Sequence, residues 1–252
     1  MKAHRSGMIN PMPFRETPTT LRIAGAALFA ALSTLLQFVP IYVTPWGMAI
    51  DLVAVPWVIC YFVFGFESAL VCSLISLPTV GLVGGGGFVG AIMKFVASVW
   101  MFVIPTALVL RIREGRYAIV KRVLIFILVS IGAIIIRDLV AVLFNFYFAI
   151  PVFFGISIEE GASWVVGVSE AFLTGLFGEL NLLLTFALII AFWNTVQGAI
   201  DLVVSWVCAR VWFAVSTEST SISKDTQTAD PSSGNVAPVQ KTEQQGNGRI
   251  DS

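Results

Sequence analysis

Between Leu21 and Val215 the chain is a succession of apolar stretches, several of them 20 residues or longer and broken by very few charges. A bilayer core about 30 Å thick is crossed by roughly 20 apolar residues of α-helix, so this spacing leaves room for about six crossings. Only 12% of the residues are charged and 57% are hydrophobic, whereas a soluble domain carries roughly 25% charged residues. Such a chain cannot coat a water-soluble globule. The sequence therefore predicts an all-α integral membrane protein with about six transmembrane helices.

The breakers place the helices. The first is expected at about Leu21 to Val43, closed by Thr44-Pro45-Trp46-Gly47, whose tryptophan suits a membrane interface. A second, from about Ile50 to Phe64, and a third, from about Ala69 to Val83, look short, and Pro78 interrupts the third. A fourth covers about Phe88 to Leu110, with Lys94 inside it, and a fifth about Val123 to Phe148, ending before Pro151. Residues 151 to 189 carry Glu159, Glu160, Glu170 and Glu179, which suggests a long loop with one or two interfacial or re-entrant helices, a seventh span remaining open. The last helix is expected at about Phe192 to Val215. The N-terminal arm is residues 1–20, and residues 216–252 are too poor in large apolar side chains to build a core, so that tail is predicted to be disordered.

Orientation follows from Lys and Arg. With the N-terminal arm in the cytoplasm, six spans put Arg111, Arg113, Arg116, Lys121 and Arg122 on the same side, together with both termini. The acidic loop with Glu159, Glu160 and Glu170 then lies outside and contains no Lys or Arg. A cell-membrane, multi-pass protein is expected. The apolar start behind the basic arm exceeds a signal-peptide h-region and is read as a retained helix.

Several function classes fall away. Net charge is zero, which gives no basic excess for nucleic acid. Cys60, Cys72 and Cys208 stand singly and His4 is the lone histidine, so neither a metal site nor a base for nucleophilic catalysis is indicated. Gly84 to Gly87 lacks the lysine pattern of a phosphate loop and reads as a turn.

Charges at membrane depth are costly and usually face a cavity, a partner or each other. Lys94 can either snorkel to the interface or line an outward cavity. Arg137 and Asp138 are adjacent, hence about 100° apart on a helix, and are expected to bond to other helices rather than to each other. Asp201 follows Gln197 by one turn. Asn194 and Gln197 are spaced i, i+3, which puts two amides on one face, suited to the edge of a flat heteroaromatic ligand or to interhelical bonding. Ala26 with Ala30, and Ala27 with Ala31, are small residues at i, i+4 that allow close helix approach, either inside the protein or by a separate subunit.

Several patterns then coincide in order: Ala26-Ala27-Leu28-Phe29-Ala30-Ala31, Ile50-Asp51-Leu52-Val53-Ala54-Val55-Pro56-Trp57, Gly90-Ala91-Ile92-Met93-Lys94-Phe95, Asn145-Phe146-Tyr147 ahead of Pro151, and Trp193-Asn194-Thr195-Val196-Gln197-Gly198. Together they resemble the substrate-binding S component of an energy-coupling factor (ECF) vitamin transporter, most closely the riboflavin-specific branch, over about Leu21 to Val215. The resemblance implies six helices and an outward-facing vitamin site. It also implies dependence on a transmembrane coupling subunit and two cytoplasmic ATPases, with no reaction by the chain itself.

The same resemblance implies that the first-helix alanines, Ala26 and Ala30 or Ala27 and Ala31, meet the coupling subunit. Asn194 and Asn145 match ligand-contacting asparagines of the riboflavin branch, whereas Gln197 stands where a lysine is expected. The expected pocket is Asn145, Asn194, Gln197 and Lys94, with riboflavin as transported ligand rather than cofactor, or another flat vitamin or nucleobase-like compound in its place. From a different class, a membrane-embedded enzyme or a structural membrane protein would use Arg137, Asp138 and Asp201.

Overall fold

The computed structural model describes residues 18–109, 115–169, 171–177 and 180–228. Arg111, Arg113, Glu170, Glu179, residues 1–17 of the arm and residues 229–252 of the tail lie outside the described residues. The chain divides into two units after Phe213. The first holds everything that bears on the candidate site.

Helix α1 (Thr19–Leu36) leads into a two-stranded antiparallel hairpin, β1 (Tyr42–Val43) and β2 (Ala49–Ile50). Helices α2 (Val55–Phe64), α3 (Phe66–Val83), α4 (Gly87–Ser98) and α5 (Trp100–Val109) follow, then the short α6 (Arg116–Lys121). Helix α7 (Val123–Phe144) continues through a π-helical turn (Asn145–Ala149) into α8 (Ile150–Phe154). After α9 (Ile158–Val168) and α10 (Ala171–Phe177), α11 (Leu182–Thr228) closes the chain.

Among the described residues five helical runs are long and apolar enough to cross a membrane: Thr19–Leu36, Phe66–Val83, Gly87–Val109, Val123–Phe154 and Leu182–Ser216. Their outer faces carry Leu28, Leu124, Leu128, Leu139 and Leu143, each more than half exposed. A soluble monomer rarely shows an apolar patch beyond a few hundred Å², so this surface belongs against lipid tails. Ser33, Asp51, Ser73, Ser76, Ser98, Arg137, Asn194, Gln197, Asp201 and Ser205 are instead buried inside. That inversion is what a chain dissolved in hydrocarbon requires, because unmet polar groups there cost several kcal/mol each.

Several boundaries differ from those read in the sequence. The first helix stops at Leu36 rather than near Val43, because the next residues form the hairpin. The second helix starts at Val55, not Ile50, and its 10 residues span only about 15 Å at 1.5 Å per residue, half a bilayer core. Pro78 sits inside α3 without ending it. The run that begins at Val123 does not stop before Pro151: the Ile150 N–H reaches back to the Asn145 carbonyl, the wider π-type bond, and this local unwinding lets the helix pass a residue that has no N–H to give. The last helix begins at Leu182, ten residues before the expected Phe192, and it continues past Ser216 to Thr228, since no Gly or Pro follows Ser216 until Pro231.

Helices α9 and α10, of 11 and 7 residues, are both too short to cross. They help build a second apolar core in which Trp46, Ile150, Ala162, Val165, Leu173, Phe186, Ile189 and Ile190 meet beside the hairpin. Helix α9 starts with a reciprocal cap: the Ser157 N–H donates to the Glu160 carboxylate at 2.9 Å and the Glu160 N–H to the Ser157 hydroxyl at 3.3 Å. The Ser157 backbone N–H, and after it the Ser157 hydroxyl, hold the Glu160 carboxyl below the ordinary 4.5. A depressed folded-state value means that the cap's stabilisation is present above the ordinary value and is lost as pH falls through the depressed one. Amide protection at the start of α9 is expected to collapse on acidification through that window. Unchanged protection factors there would contradict the cap.

At the opposite end of α2, Gly65 joins α2 to α3 with φ at 101°, a conformation that side chains avoid, and a Cβ there would lie 2.2 Å from an Arg116 guanidinium nitrogen. The Arg116 guanidinium donates to the carbonyls of Tyr61 and Val63, each at 3.4 Å. It thereby adds a cationic donor at the C-terminus of α2, where the Tyr61 carbonyl also accepts the Gly65 N–H at 2.9 Å. The basic residues Arg116, Lys121 and Arg122 thus gather at the end of the unit away from the hairpin.

Candidate functional site

The irregular stretch from Asp51 to Ala54 carries backbone polar groups into the packed interior, where each needs a partner. Side chains from two other helices provide them. Gln197 on α11 accepts the Asp51 N–H on Oε1 at 3.0 Å and donates Nε2 to the Asp51 carbonyl at 2.6 Å. The Val53 N–H donates to Asp51 Oδ1 at 3.0 Å, the Ser33 hydroxyl donates to the Val53 carbonyl at 2.7 Å, and the Ser205 hydroxyl donates to the Val55 carbonyl at 3.1 Å. This set of bonds fixes the start of α2 and, with it, the Asp51 carboxylate.

Two ion pairs lie against this stretch. Lys94 on α4 donates its Nζ to Asp51 Oδ2. Arg137 on α7 approaches Asp201 Oδ2 at 3.5 Å and donates Nη1 to the Ser98 hydroxyl at 3.0 Å. Gln197 links the two pairs, since its Nε2 also donates to Asp201 Oδ1 at 2.9 Å. The pairs and their bridge join α2, α4, α7 and α11 beneath a cavity.

That cavity has a volume of about 160 Å³, well above the roughly 10–15 Å³ that a single ordered water needs. Its walls include Trp46 and Met48 from the hairpin, Gln37 after α1, Gly84, Gly86, Gly87 and Gly90 from the α3–α4 turn and the start of α4, Asn145 and Phe153 from the α7–α8 run, and Asn194 from α11. Lys94, Asp51, Arg137 and Gln197 form its polar side. The turn matters locally. A Cβ on Gly84 would come within 2.8 Å of the Val80 carbonyl and 3.2 Å of the Gln37 amide nitrogen, so glycine is what lets Gln37 close the wall.

All four pocket residues expected from the sequence therefore line one cavity, but they are not equally free. Gln197 has both amide hydrogens and its carbonyl engaged by Asp51 and Asp201, which corrects the expectation of an amide edge open to a ligand. Asn194 and Asn145 each donate one N–H to the carbonyl four residues back, Ile190 at 2.9 Å and Ala141 at 2.8 Å, and each keeps its amide oxygen. The Asn194 amide also points at the Met48 sulfur, 3.8 Å away. Lys94 does not snorkel to the interface, because its ammonium is held inward by Asp51.

Arg137 and Asp138 diverge as adjacent helical residues must, Arg137 inward and Asp138 to the Thr195 hydroxyl, which donates to it at 2.5 Å. The alanine pairs separate too: Ala26 and Ala30 are buried against α2 and α3, whereas Ala27 and Ala31 remain exposed.

Sequence reasoning missed Asp51, Trp46 and Gln37 as site residues. Asp51 was signalled by its rarity, one carboxylate between two apolar runs. Trp46, read as an interfacial anchor, is buried in the cavity wall, and its indole N–H has no hydrogen-bond partner. The Gln37 carbonyl oxygen is likewise buried and unpartnered. No protein-family model and no curated protein matches this chain.

Proposed function

We propose that the chain is the ligand-capturing subunit of an ECF-type vitamin uptake transporter in the cell membrane, taking riboflavin and depending on a transmembrane coupling subunit and two cytoplasmic ATPases for transport. The observation that carries this reading is the cavity itself. It is enclosed by helices apolar enough to span a bilayer, lined by aromatic, thioether and amide groups, and placed at the end of the unit away from Arg116, Lys121 and Arg122. With those basic residues in the cytoplasm, the cavity faces outward. The mixture of apolar wall and few convergent polar groups is what a small-molecule site needs.

The exposed Ala27 and Ala31 supply a second support. With Ala26 and Ala30 occupied internally, they form the face on which a coupling subunit can approach α1 closely.

The test is direct. Detergent-purified protein at micromolar concentration is expected to quench riboflavin fluorescence with saturation near one ligand per chain; no quenching removes riboflavin as the ligand. Ala27→Trp is expected to leave that quenching intact while abolishing riboflavin uptake by cells that depend on this protein. Uptake unaffected by Ala27→Trp and by Ala31→Trp would remove the coupling surface.

A further inference from the structure

We propose that the corner where α6, α7 and α11 meet, at the end of the unit away from the hairpin, seats the headgroup phosphate of an anionic phospholipid between Lys121 and Arg210. This face is separate from the cavity, and the proposal stands whether or not the cavity takes riboflavin.

Aromatic contacts build the corner. The Trp206 ring on α11 stacks on Phe126 in the first turn of α7 with centroids 4.8 Å apart, and its indole N–H donates to the Ile119 carbonyl of α6 at 3.2 Å. Tyr117 of α6 meets Phe213 of α11 edge-on at 5.9 Å. Two cations rest on these rings. The Arg210 guanidinium lies over Trp206, 4.8 Å from the ring centroid, and the Lys121 ammonium lies 5.8 Å from that of Tyr117.

The depth of the corner suits a headgroup. Phe126 meets Trp206 and Asp138 meets Thr195, so α7 and α11 run antiparallel, and Arg210, one turn past Trp206, is level with Arg122 just before α7. The apolar crossing run of α7 begins at the next residue, Val123. Lys121, Arg122 and Arg210 are all exposed at this level. Val123, Leu124, Val207, Val211 and Trp212 are exposed around them. A phospholipid satisfies both kinds of surface, with its phosphate on the cations and its acyl chains along the apolar side chains.

Charge decides for an anion. Among the described residues, neither Lys121 nor Arg210 pairs with a carboxylate, and Glu67, at the same end of the unit, is taken by Arg22 at 2.7 Å. Helix α7 begins with no side-chain cap and no acidic residue in its first turn, so its first N–H groups add partial positive charge beside the cations. Basic side chains at the cytoplasmic membrane surface attract anionic lipids. A zwitterionic headgroup brings its own cation against them.

The test uses delipidated full-length protein in neutral detergent, titrated with phosphatidylglycerol or with phosphatidylcholine of the same acyl chains and followed by native mass spectrometry. Phosphatidylglycerol is expected to bind roughly tenfold more tightly or better, and Lys121→Gln and Arg210→Gln are each expected to weaken it about fivefold, the effect of one cation near a membrane surface. Arg210→Lys is expected to retain the preference, and so is Arg22→Gln, whose charge Glu67 already holds. Equal affinity for the two lipids overturns the proposal, as does an equal loss in Arg22→Gln, which would reduce the effect to general positive charge. Should Arg210→Gln not fold, Lys121→Gln decides alone: an undiminished preference there overturns the site. Millimolar inorganic phosphate is expected to leave the lipid in place; its displacement would make the corner a site for free phosphate and overturn the lipid assignment.

Discussion

Arg137→Met is expected to lower the thermal midpoint of the detergent-solubilised protein by roughly 6–20 °C, the shift that corresponds to a loss of about 3–5 kcal/mol in a chain of this size. The substitution keeps the aliphatic stem of a side chain that is only 3% exposed but removes its charge. It leaves Asp201, at 0% exposure, with no cation and strips the Ser98 hydroxyl of its donor. An unpaired buried carboxylate is the larger of these two costs, because the surrounding helices supply no water to screen it. Adding Asp201→Asn to Arg137→Met removes the stranded charge while still offering an oxygen to the Gln197 amide. The double variant is therefore expected to recover more than half of the lost midpoint. Additive losses in the double variant would mean that Arg137 and Asp201 do not act as a pair.

Gln197→Leu tests the clamp on the start of α2. Three bonds go at once: Asp51 loses the acceptor for its N–H and the donor to its carbonyl, and Asp201 loses a donor to Oδ1. Each buried group left unmet costs about 1–3 kcal/mol, partly offset by the apolar replacement, so a net loss of about 2–5 kcal/mol is expected. The readout that matters is the ligand-free protein. A clamp predicts that its thermal midpoint falls whether or not a ligand is present, whereas a residue that only contacts ligand would weaken binding and leave the ligand-free midpoint alone. A stable Gln197→Leu protein with weakened riboflavin quenching would return Gln197 to the role that its spacing from Asn194 suggested.

These two residues show how far the primary structure could be read. Arg137 and Asp138 were separable from sequence, because neighbouring residues on a helix diverge by about 100° whatever surrounds them. Gln197 and Asn194 were placed on one face by their spacing, and both do line the cavity. What that spacing could not contain is Asp51, 146 residues away, whose backbone consumes the amide of Gln197. Nor could it contain the choice of counter-ion for Lys94, which lies 43 residues upstream in the same Asp51. The hairpin went unseen for a different reason: strands of two residues carry no periodicity, and the glycine and proline between them read equally well as a helix-ending loop. The run across Pro151 went unseen because a π-type turn leaves no mark in composition.

By itself, the sequence determined that this chain is helical and apolar enough to cross a bilayer several times, since the length and charge of its apolar runs are properties of consecutive residues matched against a solvent of fixed thickness. Only the tertiary structure decided which polar residues remain available in the pocket and which alanine pair stays on the outer face of α1. Both were left undetermined by local spacing, because a hydrogen-bond donor is spent, or a helix face covered, by whatever the rest of the chain brings against it. In this protein Asp51 took Gln197 and Lys94, helices α2 and α3 took Ala26 and Ala30, and Asn145, Asn194, Trp46 and Gln37 were left facing the cavity.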